Sequence, residues 1–131
     1  MKKNIILKSK QIYENEEEQS EIKQEAEIIY ENKNIIIEFI QIVEQEKIPY
    51  KITINQDSVT YIRAENAIYL EKNKETITKY NTQYGYINMN TTLSKLKVER
   101  NGDQISRILL EYDIQMENTA KYKNIIVIEI M

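Results

Sequence analysis

From Tyr50 to Met131 apolar residues recur mostly at every second position, as in Tyr50, Ile52 and Ile54 and again in Leu110, Tyr112 and Ile114. A period of two puts such side chains on one face of an extended strand, so most of the chain reads as half-buried β-sheet. Breaks fall at Asn32-Lys33-Asn34, Asn55-Gln56-Asp57, Glu65-Asn66, Asn73-Lys74 and Asn118-Thr119. With two glycines and one proline in the chain, asparagine is expected to supply most positive-φ turn positions, which its short polar side chain tolerates. Asn101-Gly102 is the strongest hairpin signal, set between Leu96-Lys97-Val98 and Ile105-Ser106-Arg107-Ile108. The pattern predicts about 8–11 short strands, near 3–13, 21–31, 34–43, 49–55, 58–63, 66–72, 75–81, 85–91, 93–100, 104–115 and 123–131.

Two stretches fit less simply. Residues 14–21 are almost wholly acidic and read as a loop or as the start of a helix in which Ile22, Ala26 and Ile29 share a face. Alternation of Ile22, Ala26, Ile28 and Tyr30 fits better, so a strand is expected from Glu21 onward. The run from Ile35 to Val43 is apolar on both faces, which predicts core on one side and cover on the other.

Many short antiparallel strands without crossover helices make a sandwich or a closed barrel. Closure is favoured because long apolar strands such as 34–43 and 123–131, neither with a proline, would be aggregation templates at an open edge. The expected fold is all-β: residues 1–131 as a single domain, one closed antiparallel β-barrel. A chain of 131 residues with 41% hydrophobic content is long enough to bury such a core without staples.

Composition removes whole classes of chemistry. There is no histidine and no cysteine, so the commonest general base, the strongest nucleophile and nearly every transition-metal site are missing. No Gly-rich phosphate loop, nucleophile elbow or metal motif occurs, and no cofactor or catalytic residue is assigned. An enzyme built on this chain would rest on Glu38, Glu111, Tyr84 or a perturbed lysine. The acidic run lacks the ligand spacing and glycine of a calcium loop. A net charge of −3, from 18 basic and 21 acidic residues intermixed, argues against nucleic acid as partner; Lys95, Lys97 and Arg100 read as a solvated rim. No run approaches the roughly 20 apolar residues of a membrane span. The basic start is followed by only Ile5-Ile6-Leu7, against about 7–15 apolar residues in a secretion signal, so a cytoplasmic protein is expected.

The stretch Tyr80-Asn81-Thr82-Gln83-Tyr84-Gly85-Tyr86-Ile87-Asn88-Met89-Asn90-Thr91-Thr92-Leu93 narrows the fold further. Together with Ile108–Ile114 and Asn124–Ile128 it resembles an uncharacterised bacterial family of small, YwiB-like proteins. Tyr80, Thr82, Tyr84, Gly85, Thr91 and Tyr112 match that family's pattern, Thr53 fits a strand threonine and Arg63 an arginine closing the next strand. Gln83 stands where the family has proline, and Ala64-Glu65 where a glycine would follow the arginine. The resemblance implies a calycin-like, lipocalin-related barrel. It implies no reaction, since the family has no assigned activity.

Candidate binding residues follow from which strand faces they share. Arg63 continues the face of Val59 and Tyr61, and an inward guanidinium needs an acceptor. Glu38 is its natural partner, and otherwise the arginine is free to bind a carboxylate or phosphate through its fork. Tyr80, Thr82, Tyr84 and Tyr86 flank Gly85, where the barrel is expected to turn a corner; with Tyr112 they could line a mouth that bonds a ligand through phenol hydroxyls. The alternative is that these side chains simply fill the barrel end. The leading functional expectation is a non-catalytic barrel binding a small amphipathic or anionic ligand, through Arg63, Glu38, Tyr80, Thr82, Tyr84 and Tyr112. The competing expectation is a filled barrel that forms a homodimer or docks a partner protein.

Overall fold

The computed structural model describes residues 1–117 and 119–131. Ten strands follow one another: β1 (Lys2–Ile12), β2 (Glu17–Glu31), β3 (Asn34–Val43), β4 (Glu46–Ile54), β5 (Ser58–Arg63), β6 (Asn66–Glu71), β7 (Glu75–Thr82), β8 (Gly85–Asn101), β9 (Gln104–Met116) and β10 (Tyr122–Ile130). They form one antiparallel sheet in the order β6-β5-β4-β3-β2-β1-β10-β9-β8-β7. The chain is therefore a meander in which the first and last strands pair, Ile5 opposite Ile130 and Leu7 opposite Ile128. Among the described residues there is no helix.

The sheet rolls up until its outer strands, β6 and β7, lie side by side, giving a nearly closed barrel. No ladder joins these two among the described residues. Separate bonds hold the seam instead. Asn73 N donates to Leu93 O at 2.9 Å beside an isolated Lys72–Leu93 bridge. Thr91 Oγ1 donates to the Tyr69 carbonyl at 3.0 Å, and Asn81 N donates to Asn66 Oδ1 at 3.0 Å. Thr91 is 1% exposed, so its hydroxyl works as an interior clasp between β8 and β6.

Inward positions alternate with outward ones along each strand, and the inward set makes one continuous core. Ile37, Ile52, Met89, Leu93, Ile108, Leu110 and Ile128 are wholly buried in it. The interior is thus packed with the protein's own side chains, as small barrels are.

Several expectations are corrected. The stretches 85–91 and 93–100 are one strand, β8, bent by a bulge between Leu93 and Lys95 rather than broken. β2 begins at Glu17, inside the acidic run, because β1 offers it a ladder out to Ile12–Glu17 and Lys10 pairs with Glu17 at 3.0 Å. The outer face of β3 has no cover among the described residues: Ile40 is 51% and Ile42 67% exposed. Among the described residues asparagine takes two of the six positive-φ non-glycine positions, Asn32 and Asn73; the others are Lys33, Glu44, Gln45 and Ala64. Gly85 turns no barrel corner. It closes the tight β7–β8 hairpin at φ 110°, with nothing near the place a Cβ would occupy, so the dihedral alone requires it. Gly102 holds φ 68° at the first position of the β8–β9 turn, a place type II′ hairpins reserve for glycine. The Asn118-Thr119 break includes Asn118, which lies outside the described residues.

Candidate functional site

One end of the barrel differs from the rest of the interior. Along β10 the inward residues run Tyr122, Asn124, Ile126, Ile128, and along β5 they run Arg63, Tyr61, Val59, so each strand passes from polar or aromatic to aliphatic. Register sets out two rows at the polar end. Phe39, Tyr50, Arg63 and Asn66 are successive cross-strand partners on β3 to β6. Gln11, Asn124, Tyr112 and Leu93 are successive partners on β1, β10, β9 and β8.

Arg63 sits at the rim of the first row, on the inward face but open to solvent. Its Nε donates to the Tyr50 hydroxyl at 2.8 Å, and its guanidinium carbon lies 5.7 Å from the centre of that ring. Tyr50 in turn donates to Gln41 Oε1 at 3.1 Å, stacks on Phe39 with centroids 4.6 Å apart and meets the edge of Tyr61 at 6.2 Å. The bond it donates to Tyr50 holds the guanidinium above its already high range, against a smaller opposing effect of burial, with the Tyr80 and Tyr61 phenols close enough to contribute. No carboxylate lies within ion-pair distance of Arg63 among the described residues. Its Nε is held by one neutral hydroxyl, and its two terminal nitrogens make no ion pair among the described residues.

The second row is more deeply buried. Tyr112 is 4% exposed, and Asn124 Nδ2 donates to its hydroxyl at 2.9 Å. Burial pushes the Tyr112 phenol up to about 12, with the Asn124 bond pulling the other way. Tyr61 is raised further still, by burial first and then by the neighbouring Tyr112 and Tyr50 phenols. Both phenols are therefore neutral at ordinary pH. Tyr13 and Tyr122 pack against each other at 4.8 Å, and Tyr13 donates to Gln11 Oε1 at 3.0 Å. Asn124 Oδ1 and Thr78 Oγ1 are buried without a partner.

This geometry separates the sequence candidates. Arg63 and Tyr112 belong to one cluster through Tyr61, and Tyr80 lies near Arg63. Glu38, Thr82 and Tyr84 stand outside it. Glu38 does not pair with Arg63: it points outward, beside Lys51 at 4.0 Å, because Phe39 is the inward residue opposite Tyr50. Thr82 shapes the β7–β8 turn, its hydroxyl donating to Gly85 O at 2.8 Å and accepting from Tyr84 N at 3.1 Å. Tyr84 is 90% exposed at that turn. Sequence reasoning passed over Tyr50, Tyr61, Tyr122, Gln11 and Asn124. The available signal was alternation itself: Tyr61 shares the Arg63 face, and Asn124 is the one polar residue in phase with Ile126 and Ile128.

A groove of about 550 Å³ lies elsewhere, on the outer wall among Lys8, Lys10, Glu21, Ile125 and Val127. It is shallow and bordered by solvated charges, with no buried polar group aimed into it. A second, of about 430 Å³, runs past Ile40, Pro49, Ile62 and Ala64. Among the described residues no three acidic side chains converge as a metal would need, and no helix is long and apolar enough to cross a membrane.

Residues 5–128 match the family described as "Domain of unknown function (DUF1934)". The crystal structure of the ywiB protein from Bacillus subtilis superposes with a TM-score of 0.74 at 14% identity, over 99% of this chain and 93% of that one. At that identity the likeness bears on the fold alone. None of the curated proteins matches.

Proposed function

Because the chain belongs to the DUF1934 family, whose description assigns no activity, we propose from the site's own chemistry that the protein is a non-catalytic cytoplasmic barrel binding a small amphipathic anion at its tyrosine-rich end. One observation carries the reading: Arg63 rests on the Tyr50 ring at the rim, without a carboxylate partner among the described residues. Pre-organised by one hydroxyl, its remaining donors match the fork geometry of a carboxylate or phosphate. The half-buried Tyr61 and Tyr80 offer apolar ring surface beside it, with hydroxyls that fix orientation. The packed interior restricts the ligand to the mouth, so a small flat molecule suits it better than a long lipid chain.

Titration of isotope-labelled protein with benzoate, and with benzylamine as a cation of the same shape, tests this by NMR. Benzoate is expected to move the Arg63 Nε and Tyr50 resonances, and Arg63→Gln to weaken it about tenfold, the worth of one charge-assisted hydrogen bond. Equal response to benzylamine, or no effect of Arg63→Gln, contradicts the reading.

A second reading rests on the outer wall. Ile40 and Ile42 are exposed side by side with Pro49, Ile62 and Ala64, an apolar patch that a second copy of the chain could cover. Light scattering after size exclusion decides it: a monomer at every concentration removes this reading.

A further inference from the structure

β2 keeps an open edge. It pairs with β1 from Glu27 to Glu17, but with β3 only from Glu31 to Glu27. From Phe39 onward β3 pairs with β4 alone, and the tip of that hairpin stands clear, with Ile42 67% and Val43 41% exposed. One bond fixes which way the bare stretch of backbone points: Ile28 N donates to Met1 O at 2.8 Å, on the β1 side. Bonding alternates along an antiparallel strand, so the even residues of β2 serve β1 and the odd ones turn away from it. Glu17, Gln19, Glu21, Lys23 and Glu25 therefore aim their N–H and C=O groups at the open edge. No proline or bulge blunts the stretch 17–26, and only Ile22, Gln24 and Ala26 within it are even partly shielded from solvent.

We infer that this edge pairs with the same edge of a second copy of the chain, antiparallel about a two-fold axis through Ile22. Charge selects both the occupant and the register. With Ile22 opposite its own counterpart, Glu21 of each chain faces Lys23 of the other, Ser20 faces Gln24 and Gln19 faces Glu25. Opposite charges directly across a ladder attract, and like charges repel. Glu21 and Lys23 are both exposed and make no ion pair among the described residues. Lys8, across from Glu21 on β1, is drawn to Glu129 instead. Moving the axis to Glu21 sets that residue against itself and Glu17 against Glu25; moving it to Lys23 opposes two lysines and sets Glu21 against Glu25. An axis at Ser20 keeps a Glu17–Lys23 pair but puts Glu18 beside Ile22, and one at Gln24 leaves a ladder of residues 22–26 only. The Ile22 register uses residues 18–26, opposes no like charges and joins two apolar side chains. It forms a ladder of about eight hydrogen bonds, close to the roughly ten of a specific protein interface. Neither the anion site nor the Ile40 patch takes part.

Because the chain has no cysteine, single introduced ones report the register. Ile22 would meet its counterpart as a non-hydrogen-bonded pair with Cα atoms about 4.5 Å apart, inside the span a disulfide bridges. Under mild oxidation Ile22→Cys is expected to form a covalent dimer, and Tyr84→Cys, on a turn outside the ladder, is not. Light scattering after size exclusion gives the second arm. Wild type is expected to dimerise, and Glu21→Lys and Lys23→Glu each to raise the dissociation constant at least about tenfold. The exchange Glu21→Lys/Lys23→Glu should restore it. Both positions are exposed, so these variants keep the fold. A wild type that stays monomeric at every concentration overturns the inference. So does a double exchange no tighter than the single reversals, or cross-linking of Ile22→Cys no faster than that of Tyr84→Cys. A dimer indifferent to the charge reversals also overturns it, and leaves the Ile40 patch as the contact.

Discussion

Replacing Thr91 by valine tests how the barrel closes, because the change keeps the shape and removes only the clasp. Thr91 is 1% exposed, and its Oγ1 is 3.0 Å from the Tyr69 carbonyl and 3.5 Å from that of Thr76. The longer contact contributes little at that distance. Losing the shorter one removes about 1 kcal/mol of net hydrogen-bond stabilisation and deprives the Tyr69 carbonyl of its donor at the seam, a further penalty of about 1 kcal/mol. The extra buried methyl of valine returns roughly 0.8 kcal/mol. The balance is a loss of about 1 kcal/mol, which lowers the melting temperature of a 131-residue chain by about 4 °C. Urea unfolding measures the difference, with Thr60→Val on the outer face of β5 as a control expected within about 0.5 kcal/mol of wild type. Hydrogen exchange supplies the local readout: the Asn73 and Asn81 amides, both bonded across the seam, should exchange faster in Thr91→Val. A variant as stable as wild type, with those two amides unchanged, would refute a side-chain-held closure.

Three further outcomes are expected. Ala64 holds φ 54°, so Ala64→Gly should stabilise by about 0.5 kcal/mol, the relief of left-handed strain less the greater entropy of unfolded glycine; a lower urea midpoint contradicts the strain. The β3–β4 turn carries Glu44 at φ 50° and Gln45 at φ 69°, and Glu44→Asn with Gln45→Gly should raise the midpoint by about 1–2 kcal/mol, since both positions need positive φ. The raised phenols of Tyr61 and Tyr112 set an alkaline limit. The folded state binds these protons more tightly than the unfolded chain, so their stabilisation is complete below about pH 10 and falls as pH rises toward 12. Absorbance at 295 nm should show tyrosines that ionise only on unfolding, and titration of all ten near pH 10 in the folded protein excludes this.

Strand existence was legible because a period of two survives in nearly every segment, and the hairpin breaks at Asn32-Lys33, Asn73 and Gly102 carry turn residues. The strand ends at 43 and 63 were legible, but positive φ at Glu44, Gln45 and Ala64 was hard to see, since ladder pairing on both sides forces it on residues that do not favour it. The Arg63–Glu38 pairing failed for a definable reason. In the run from Ile35 to Val43 both faces are apolar, so periodicity cannot say whether Glu38 or Phe39 points inward, and only the Phe39–Tyr50–Arg63 register decides. The seam was invisible for the opposite reason. β6 and β7 are neighbours in sequence and would ordinarily pair, yet Thr91 and Asn66 side chains join the two ends of the sheet where a ladder is expected. At the candidate site, alternation put Arg63 on the inner face, but gathering Tyr50, Tyr61, Tyr80, Tyr112 and Asn124 at one end needs strand stagger, which single-strand patterns do not encode.

The proposed site stands or falls on where a small anion rests. Intermolecular NOEs between benzoate ring protons and the protein locate it most directly. Contacts to the rings of Tyr61 and Tyr80, lost in Arg63→Gln, are the predicted result. Contacts instead to Ile40 and Ile62 on the outer wall, or to Ile125 and Val127, would contradict it.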